Sequence, residues 1–582
     1  MIPHCEGVVT GGIVGRCGNG RSVNKLTSGV NKSTLRGAMR PMRSLGAQIM
    51  TLTDISTAAP APRAGQLQDL SAREIARRIA AGDLSSSETV EHFIARLKAV
   101  NGKLNAVAVD LFESAREAAA NIDKALARGE KLGPLAGLPV TIKECFDLAG
   151  TASTFGLPSR RDIIERRDDP YVAALRAAGA IPIAKTNLPQ LMIFTETDNP
   201  LYGRTDNPWD PERSCGGSSG GEAAVIAAGG SPLGLGNDIG GSLRIPAAFC
   251  GIASIRPTAG RIPDHCGHGL PIGQRGIPAQ AGPMAKYVED LTMALGVLDR
   301  ARDPFIDPGP EFGNPAAVDV GRLRFATFTD DGEFPVAPAG RRAVAEAAGF
   351  LTAAGAKPVA WRPPDLRRVS DLFFACLSAD RAQAFRRLLR GNKVDRHVRP
   401  LLLTAAMPMW LRGIAGFALD ALGQPRSALT VRRFGSGSAD QYWQTVEAIE
   451  NFRHEMLRSF EQANGGPIDV ILCPAYPVPA VRHGATERMP MPGAYAPLAN
   501  VSGFPAGIVP VTRVRPGEES DRPASRDQVD GVAREAERGS AGLPIAVQVI
   551  ARPWRDHVAL AAMAKIEAAA RLQPDYPARP PL

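Results

Sequence analysis

Two serines stand between two pairs of glycines in Cys215-Gly-Gly-Ser-Ser-Gly-Gly-Glu222, and the chain runs on at once into the apolar "AAVIAAGG". A second turn of similar make, Asn237-Asp-Ile-Gly-Gly-Ser242, sets another serine 24 residues beyond Ser218. Upstream, Lys143 lies in "GLPVTIKECFD", which reads as a strand whose other members are mostly apolar. A serine hydroxyl is a weak nucleophile until a base takes its proton. A lysine on a buried strand either reaches water at the strand end or is desolvated toward neutrality, and a neutral amine is a usable base. Glycine-rich backbone beside a serine also lets N–H groups approach a substrate carbonyl and hold the oxyanion of an acyl-transfer intermediate.

Other chemistries compete for the same residues. A flexible linker would be rich in Gly and Ser on both sides, but "NPWDPERSC" and "EAAVIAAGGSPLGLG" flank this one. A phosphate-binding loop would need a following Gly-Lys-Ser/Thr. Gly216-x-Ser218-x-Gly220 and Gly217-x-Ser219-x-Gly221 both fit the nucleophile elbow of α/β-hydrolases, with His454, His483 and His557 downstream, though none of these sits in a setting that marks it. Cys145 shares a strand face with Lys143 and is read as its packing neighbour rather than as a thiol nucleophile. Asp264-His-Cys-Gly-His268 crowds its ligand types together without a second half, so it is read as a polar loop and no metal is expected.

The elements that must position these residues follow from periodicity. Helical patterning begins near Leu67; a capping box from Ser85 to Glu88 opens a second helix, and "FESAREAAANIDKALARGE" reads as a third. Strands are expected at "NAVAVD", at 137–147 and at 180–186, the last two separated by the helical "PYVAALRAAGA". Later strands are expected at 322–330, 468–476 and 543–551. Such alternation argues for an α/β sheet layered between helices. With no repeat or linker visible, residues 66–582 are expected to form one domain, with 515–540 as a charged surface insertion. Residues 1–65, poor in acids and ending in "STAAPAPRAG", read as a disordered extension. A basic transit sequence, or a start at Met39 or Met50, is an equal reading of that segment.

Composition excludes several function classes. The 582 residues are 44% hydrophobic and carry a net charge of +9, but residues 1–50 hold seven Lys and Arg against the single acid Glu6. About +3 is left for the rest, too little for a nucleic-acid face, with only 5% aromatic residues to stack on bases. Eight cysteines without a CxxC pair suggest reduced thiols in the cytoplasm.

Five segments then narrow the reading: "IKECFD", "TNLPQLMIF", "NPLYGRTDNPWDPERSCGGSSGGEAA", "GGSPLGLGNDIGGSLRIPAAFCGI" and "NVSGFPAGIVPV". Together they resemble the amidase signature family and, within it, look most like the fatty acid amide hydrolase branch. The resemblance runs over about 67–575 and is densest from 137 to 283. It implies a large twisted mixed β-sheet sandwiched between α-helices, and a cofactor-free serine amidohydrolase that cleaves a small-molecule substrate, a fatty acyl or other apolar acyl amide, to acid and amine or ammonia through an acyl-enzyme. By that likeness Ser242 attacks, Ser218 follows a cis peptide bond and bridges to Lys143, and Lys143 takes and returns the proton. Ile239, Gly240, Gly241 and Ser242 would form the oxyanion hole, and Met192 and Ser218 would contact substrate. The family also contains amidotransferase subunits that supply ammonia to misacylated tRNA, which is the alternative reading. A homodimer is open. Glu144 stands where many members have Asp.

The apolar window 399–424 bears on the substrate. Pro408, Arg412 and Asp420 interrupt it, and each central charge would cost about 2.5–3.5 kcal/mol in a bilayer, so a span is not expected. A buried helical hairpin is one reading. The other, suggested by the fatty acid amide hydrolases, is a peripheral membrane cap in which Trp410, Leu411, Phe417 and Leu422 meet lipid and Arg426, Arg432 and Arg433 meet head groups.

Overall fold

The structure is a computed structural model that describes residues 67–263, 273–301, 309–435 and 437–582. The N-terminal extension and the Asp264–His268 cluster lie outside the described residues. Eleven strands form one mixed sheet: β1 (Val107–Asp110), β2 (Pro139–Lys143), β3 (Ile181–Thr186), β4 (Leu233–Asp238), β5 (Ala253–Arg256), β6 (Gln280–Ala285), β7 (Arg324–Thr327), β8 (Lys357–Pro358), β9 (Val470–Pro474), β10 (Ala506–Arg513) and β11 (Pro544–Ala551). Their spatial order is β1-β3-β2-β4-β6-β5-β10-β11-β9-β7-β8. β2 runs parallel to both β3 and β4, whereas β10 and β11 form a long antiparallel pair.

Successive strand residues point to opposite faces, so a strand buried at every position must be covered on both. β2, β4, β6, β9 and β11 are all of this kind. The helix Asp556–Ala570 packs on both Val288–Leu298 and Pro338–Ala353, all three pack on the central strands, and Gly220–Ala227 and Arg244–Cys250 pack together near β4 and β5. This is the α/β layering expected from the sequence. The capping box forms as expected, with the Ser85 hydroxyl accepting from the Glu88 N–H and the Glu88 carboxylate accepting from the Ser85 N–H.

Five strands were not expected, one of them the two-residue β8 at the edge of the sheet. β4, β5 and β6 fall in the Gly-, Ala- and Pro-bearing stretch after residue 216, and β10 carries Gly507 and Pro510. Such residues have low strand propensity, and burial between neighbouring strands overrides it here. The charged stretch 515–540 is only in part a surface excursion. It contains the helix Gln528–Glu537, whose Val529, Val532, Ala533 and Ala536 are buried, and Arg522 pairs with the buried Glu537.

The second glycine pair of the serine-rich turn opens the helix Gly220–Ala227, which is buried along its whole length. A Cβ on Gly221 would lie 2.5 Å from the Asn187 nitrogen and 2.6 Å from its carbonyl oxygen, just past the end of β3. Those are backbone atoms and cannot swing aside. Gly221→Ala is therefore expected to destabilise the protein by about 1–3 kcal/mol, read as a lower denaturant midpoint. Gly102→Ala is the control: nothing lies within 4 Å of its Cβ position on the helix Ser86–Leu104, so it should hold or raise the midpoint. Equal midpoints for the two variants would contradict the packing argument.

Candidate active site

Parallel pairing of β2 and β4 brings their C-terminal ends side by side, and the serine-rich turn crosses above them into its helix. Lys143 is the last residue of β2 and is fully buried. Its Nζ is hydrogen-bonded to Ser218 Oγ at 2.7 Å and donates to Asn237 Oδ1 at 2.6 Å. Burial pushes the amine down to about 8, against the pull of the Cys145 thiol, Asp238 and Glu222. The Gly217–Ser218 peptide is cis.

The two adjacent serines do different things. Ser218 turns its hydroxyl to the lysine, whereas the Ser219 N–H donates to the Ser242 carbonyl at 3.1 Å and its hydroxyl donates to the Asn237 carbonyl at 3.3 Å. Ser219 thus ties the first glycine-rich turn to the second. Ser242, only 9% exposed, lines the same cavity as Ser218.

A buried ion pair shapes the second turn. Asp238 accepts from Arg244 at 3.0 Å through both oxygens, from the Gly241 and Leu243 N–H groups, and from Asn500 Nδ2. Burial alone would raise this carboxyl, but the guanidinium outweighs it and holds it well below the usual carboxylate range. Arg244 is completed by the Ala496 carbonyl, Gln548 Oε1 and Asn500 Oδ1, each at 2.6 Å. The chain curls over the carboxylate with Gly241 at φ +113°, a conformation that disfavours any side chain. Of the four backbone donors expected for an oxyanion hole, Ile239, Gly240 and Ser242 line the cavity, and Gly241 turns its N–H onto Asp238.

The cavity, of about 130 Å³, is lined by Ser218, Asn237 and Ser242 from this cluster. The rest of its lining is mostly apolar: Phe373, Phe374 and Leu377 come from the helix Arg367–Leu377, and Leu401 and Leu402 from the helix Val398–Ala406. Met192 also lines it and sits at φ +59°, with its Sδ 3.7 Å from Asn237 Nδ2. Cys145 Sγ lies 3.7 Å from the same nitrogen, and burial pushes its thiol up to about 12, which makes it inert as a nucleophile. None of His454, His483 and His557 lines the cavity; His483 instead faces the Pro211 carbonyl and Asp206. Glu144 accepts from the Thr154 and Phe155 N–H groups.

A family model described as "Amidase" matches residues 88–560. The chain belongs to the amidase family. It is an amide-hydrolysing enzyme, and its mixed sheet is the amidase signature fold. Among the relatives of this amidase is fatty-acid amide hydrolase 1 of Sus scrofa, 35% identical over 503 residues that cover 85% of this chain and 84% of that one. Indoleacetamide hydrolase of Bradyrhizobium diazoefficiens is 42% identical over 310 residues, 52% of this chain and 58% of its own. A solved structure titled fatty acid amide hydrolase superposes with a TM-score of 0.74 at 26% identity, covering 87% of this chain and 86% of that one.

Sequence reasoning missed Asn237, Asp238 and Arg244 as partners in this site. The last two carry a readable sign, since two charges six residues apart in an otherwise apolar stretch must be paired when buried. Removing one partner of a buried pair typically costs about 3–5 kcal/mol because the other charge is stranded. Arg244→Met is expected to lose stability on that scale. Arg244→Met combined with Asp238→Asn should recover part of the loss in the same unfolding experiment; a double variant no more stable than the single one would show that the pair is not what holds the turn.

Proposed function

We propose that this amidase cleaves fatty acyl or other apolar acyl amides to the acid and an amine or ammonia through an acyl-enzyme on Ser242. The observation that carries the reading is the cavity itself, lined by the hydroxyl-bearing Ser218 and Ser242, with the Lys143 amine bonded to Ser218, and by phenylalanine and leucine side chains. Ser242 attacks the amide carbonyl and Ser218 passes its proton to neutral Lys143. Lys143 then returns the proton, again through Ser218, to the departing nitrogen. The N–H groups of Ile239, Gly240 and Ser242 face the oxyanion. An apolar lining suits an acyl chain better than the passage of ammonia to a partner, so the amidotransferase-type alternative is not favoured.

The approach of an apolar substrate has a counterpart on the surface. No helix among the described residues is long and apolar enough to cross a membrane; Val398–Ala406 and Met409–Ala421 meet that composition only together and are bent by 118°. Trp410, Phe417 and Leu422 are 68%, 73% and 72% exposed, which a buried hairpin would not allow. The helix Met409–Ala421 is turned inside out: Arg412 points inward to the Phe434 and Gly435 carbonyls, and the apolar residues point outward. That arrangement supports a cap lying at a lipid surface. The arginines expected for head groups are engaged elsewhere: Arg426 pairs with Asp530, Arg432 with Asp420, and Arg433 with Glu333 and Asp371. Any such contact is therefore carried by apolar side chains.

The chemistry is tested by kinetics on matched substrates. A departing amine must be protonated as the tetrahedral intermediate collapses, and an alkoxide needs less help. Lys143→Ala should therefore depress amide turnover more than turnover of the corresponding ester. In the wild type, kcat/KM should rise through about pH 8 as the amine loses its proton and level off above it. Retention of near-normal amidase activity by Lys143→Ala would overturn the relay.

The substrate class is tested separately. Leu402→Ser, on the cavity wall, should weaken turnover of a long acyl amide more than that of acetamide-sized substrates, since each buried methylene contributes about 0.8 kcal/mol. Equal losses on both would remove the acyl chain from the cavity.

A further inference from the structure

Asn237 was not singled out by the motif, yet it makes the shorter of the two contacts to the lysine. It is the penultimate residue of β4, 4% exposed, and lines the cavity beside Ser218 and Ser242. Its amide is oriented from two sides. Oδ1 accepts from Lys143 Nζ at 2.6 Å, and Nδ2 is directed at Cys145 Sγ and Met192 Sδ, both at 3.7 Å. A thioether can only accept, and a lysine bonded to a carbonyl oxygen can only donate, so the two neighbours agree on which way the amide faces.

We propose that Asn237 is a positioning residue that fixes the lone pair of neutral Lys143 on the Ser218 hydroxyl. A neutral primary amine has two N–H donors and one lone pair, and rotation about its Cε–Nζ bond sets where each points. Ser218 Oγ can donate or accept, so contact with it alone leaves the direction of that hydrogen bond undetermined. An amide oxygen can only accept. Its presence makes the nitrogen donate on the Asn237 side, which keeps the lone pair off that side and leaves it able to face the hydroxyl whose proton must move. After the proton has moved, the ammonium donates to both oxygens without turning, so the same geometry serves the return.

The proposal rests on the reading of Lys143 as the base, and it concerns charge as well as direction. The charged and titratable groups that face Lys143 are Cys145 from the turn after β2, Asp238 from β4 and Glu222 from the helix above. Asp238 is matched by Arg244, and Glu222 accepts from Thr141 and Thr186 at 2.6 and 2.8 Å. Asn237 therefore offers full acceptor strength with no formal charge to hold the amine as ammonium.

The test is the pH dependence of kcat and kcat/KM for one apolar acyl amide over about pH 6–10, on wild type, Asn237→Asp, Asn237→Leu and Asn237→Ser, each checked for folding by thermal unfolding. Asn237→Asp is expected to move the rising limb of kcat/KM upward by about one pH unit or more, because an adjacent carboxylate favours the ammonium. Asn237→Leu should lower kcat by about tenfold or more across the range with little change in KM and no upward shift, and Asn237→Ser, which keeps an acceptor, should exceed it. A role confined to packing would lower activity without moving the limb. An unmoved limb in folded Asn237→Asp, or wild-type kcat in Asn237→Leu, overturns the proposal; should Asn237→Asp fail to fold, equal kcat in the Ser and Leu variants overturns it. Lys143→Ala separates the two readings: amidase activity retained there removes the base itself, whereas activity lost there with an unmoved limb in Asn237→Asp removes only the role of Asn237.

Discussion

The site depends on the complete burial of one amine without a carboxylate in contact with it. Lys143 Nζ touches a hydroxyl and an amide oxygen, and desolvation brings its proton affinity down to about 8. Had Glu222 or Asp238 bonded the amine directly, the ammonium would be stabilised and the amine would not serve as the proposed base. Both carboxyls are nearby, and both are occupied with other donors. Thr141 and Thr186 bracket Glu222, which burial drives up to about 8, and Arg244 holds Asp238. The partners of the acids are thus as much a part of the site as the partners of the lysine.

These constraints explain why the site sits where β2 and β4 end. Two parallel neighbours deliver their last side chains to one edge of the sheet, and a buried helix arriving over that edge brings a backbone turn to the same place. Adjacent strand residues face opposite ways, so Asn237 can serve Lys143 while Asp238 serves Arg244. The Arg244 guanidinium reaches the Ala496 carbonyl, Asn500 and the β11 residue Gln548, which joins the second glycine-rich turn to segments some 250–300 positions later in the chain. The turn is held from the far half of the sheet rather than by its own loop.

How much of this could be read from the sequence differs by element. The helices and strands between 67 and 186 were legible because their periodicities switch cleanly. β4 was not, since its glycines face Glu222 and Ser219, and what they accommodate is visible only once those neighbours are in place. Lys143, Ser218 and Ser242 stood out through unusual residue types in apolar or glycine-rich settings and through the family resemblance. Asn237 did not, because a lone asparagine before an aspartate is a common turn pair, and its role follows from the pairing of β4 with β2, which sets its side chain beside Lys143. The cavity walls were illegible for a different reason. Phe373, Leu402 and Met491 are separated by long stretches of chain, and no local pattern says that they converge on the serines.

The apolar window 399–424 joins the inside of the molecule to its surface. Its first helix gives Leu401, Leu402 and Ala405 to the cavity, and its second leaves Trp410, Ile414 and Phe417 in the open. Arg412, which by charge alone argues against an apolar environment, is what makes this division stable. Its guanidinium satisfies the Phe434 and Gly435 carbonyls, and Phe434 is itself part of the cavity wall. A charge that would be costly in a bilayer is directed into protein polar groups, so the outward face of that helix is left to apolar residues. The same side chain anchors the backbone that carries a ring lining the proposed acyl site, so it links the surface at which an apolar substrate would arrive to the cavity that would receive it.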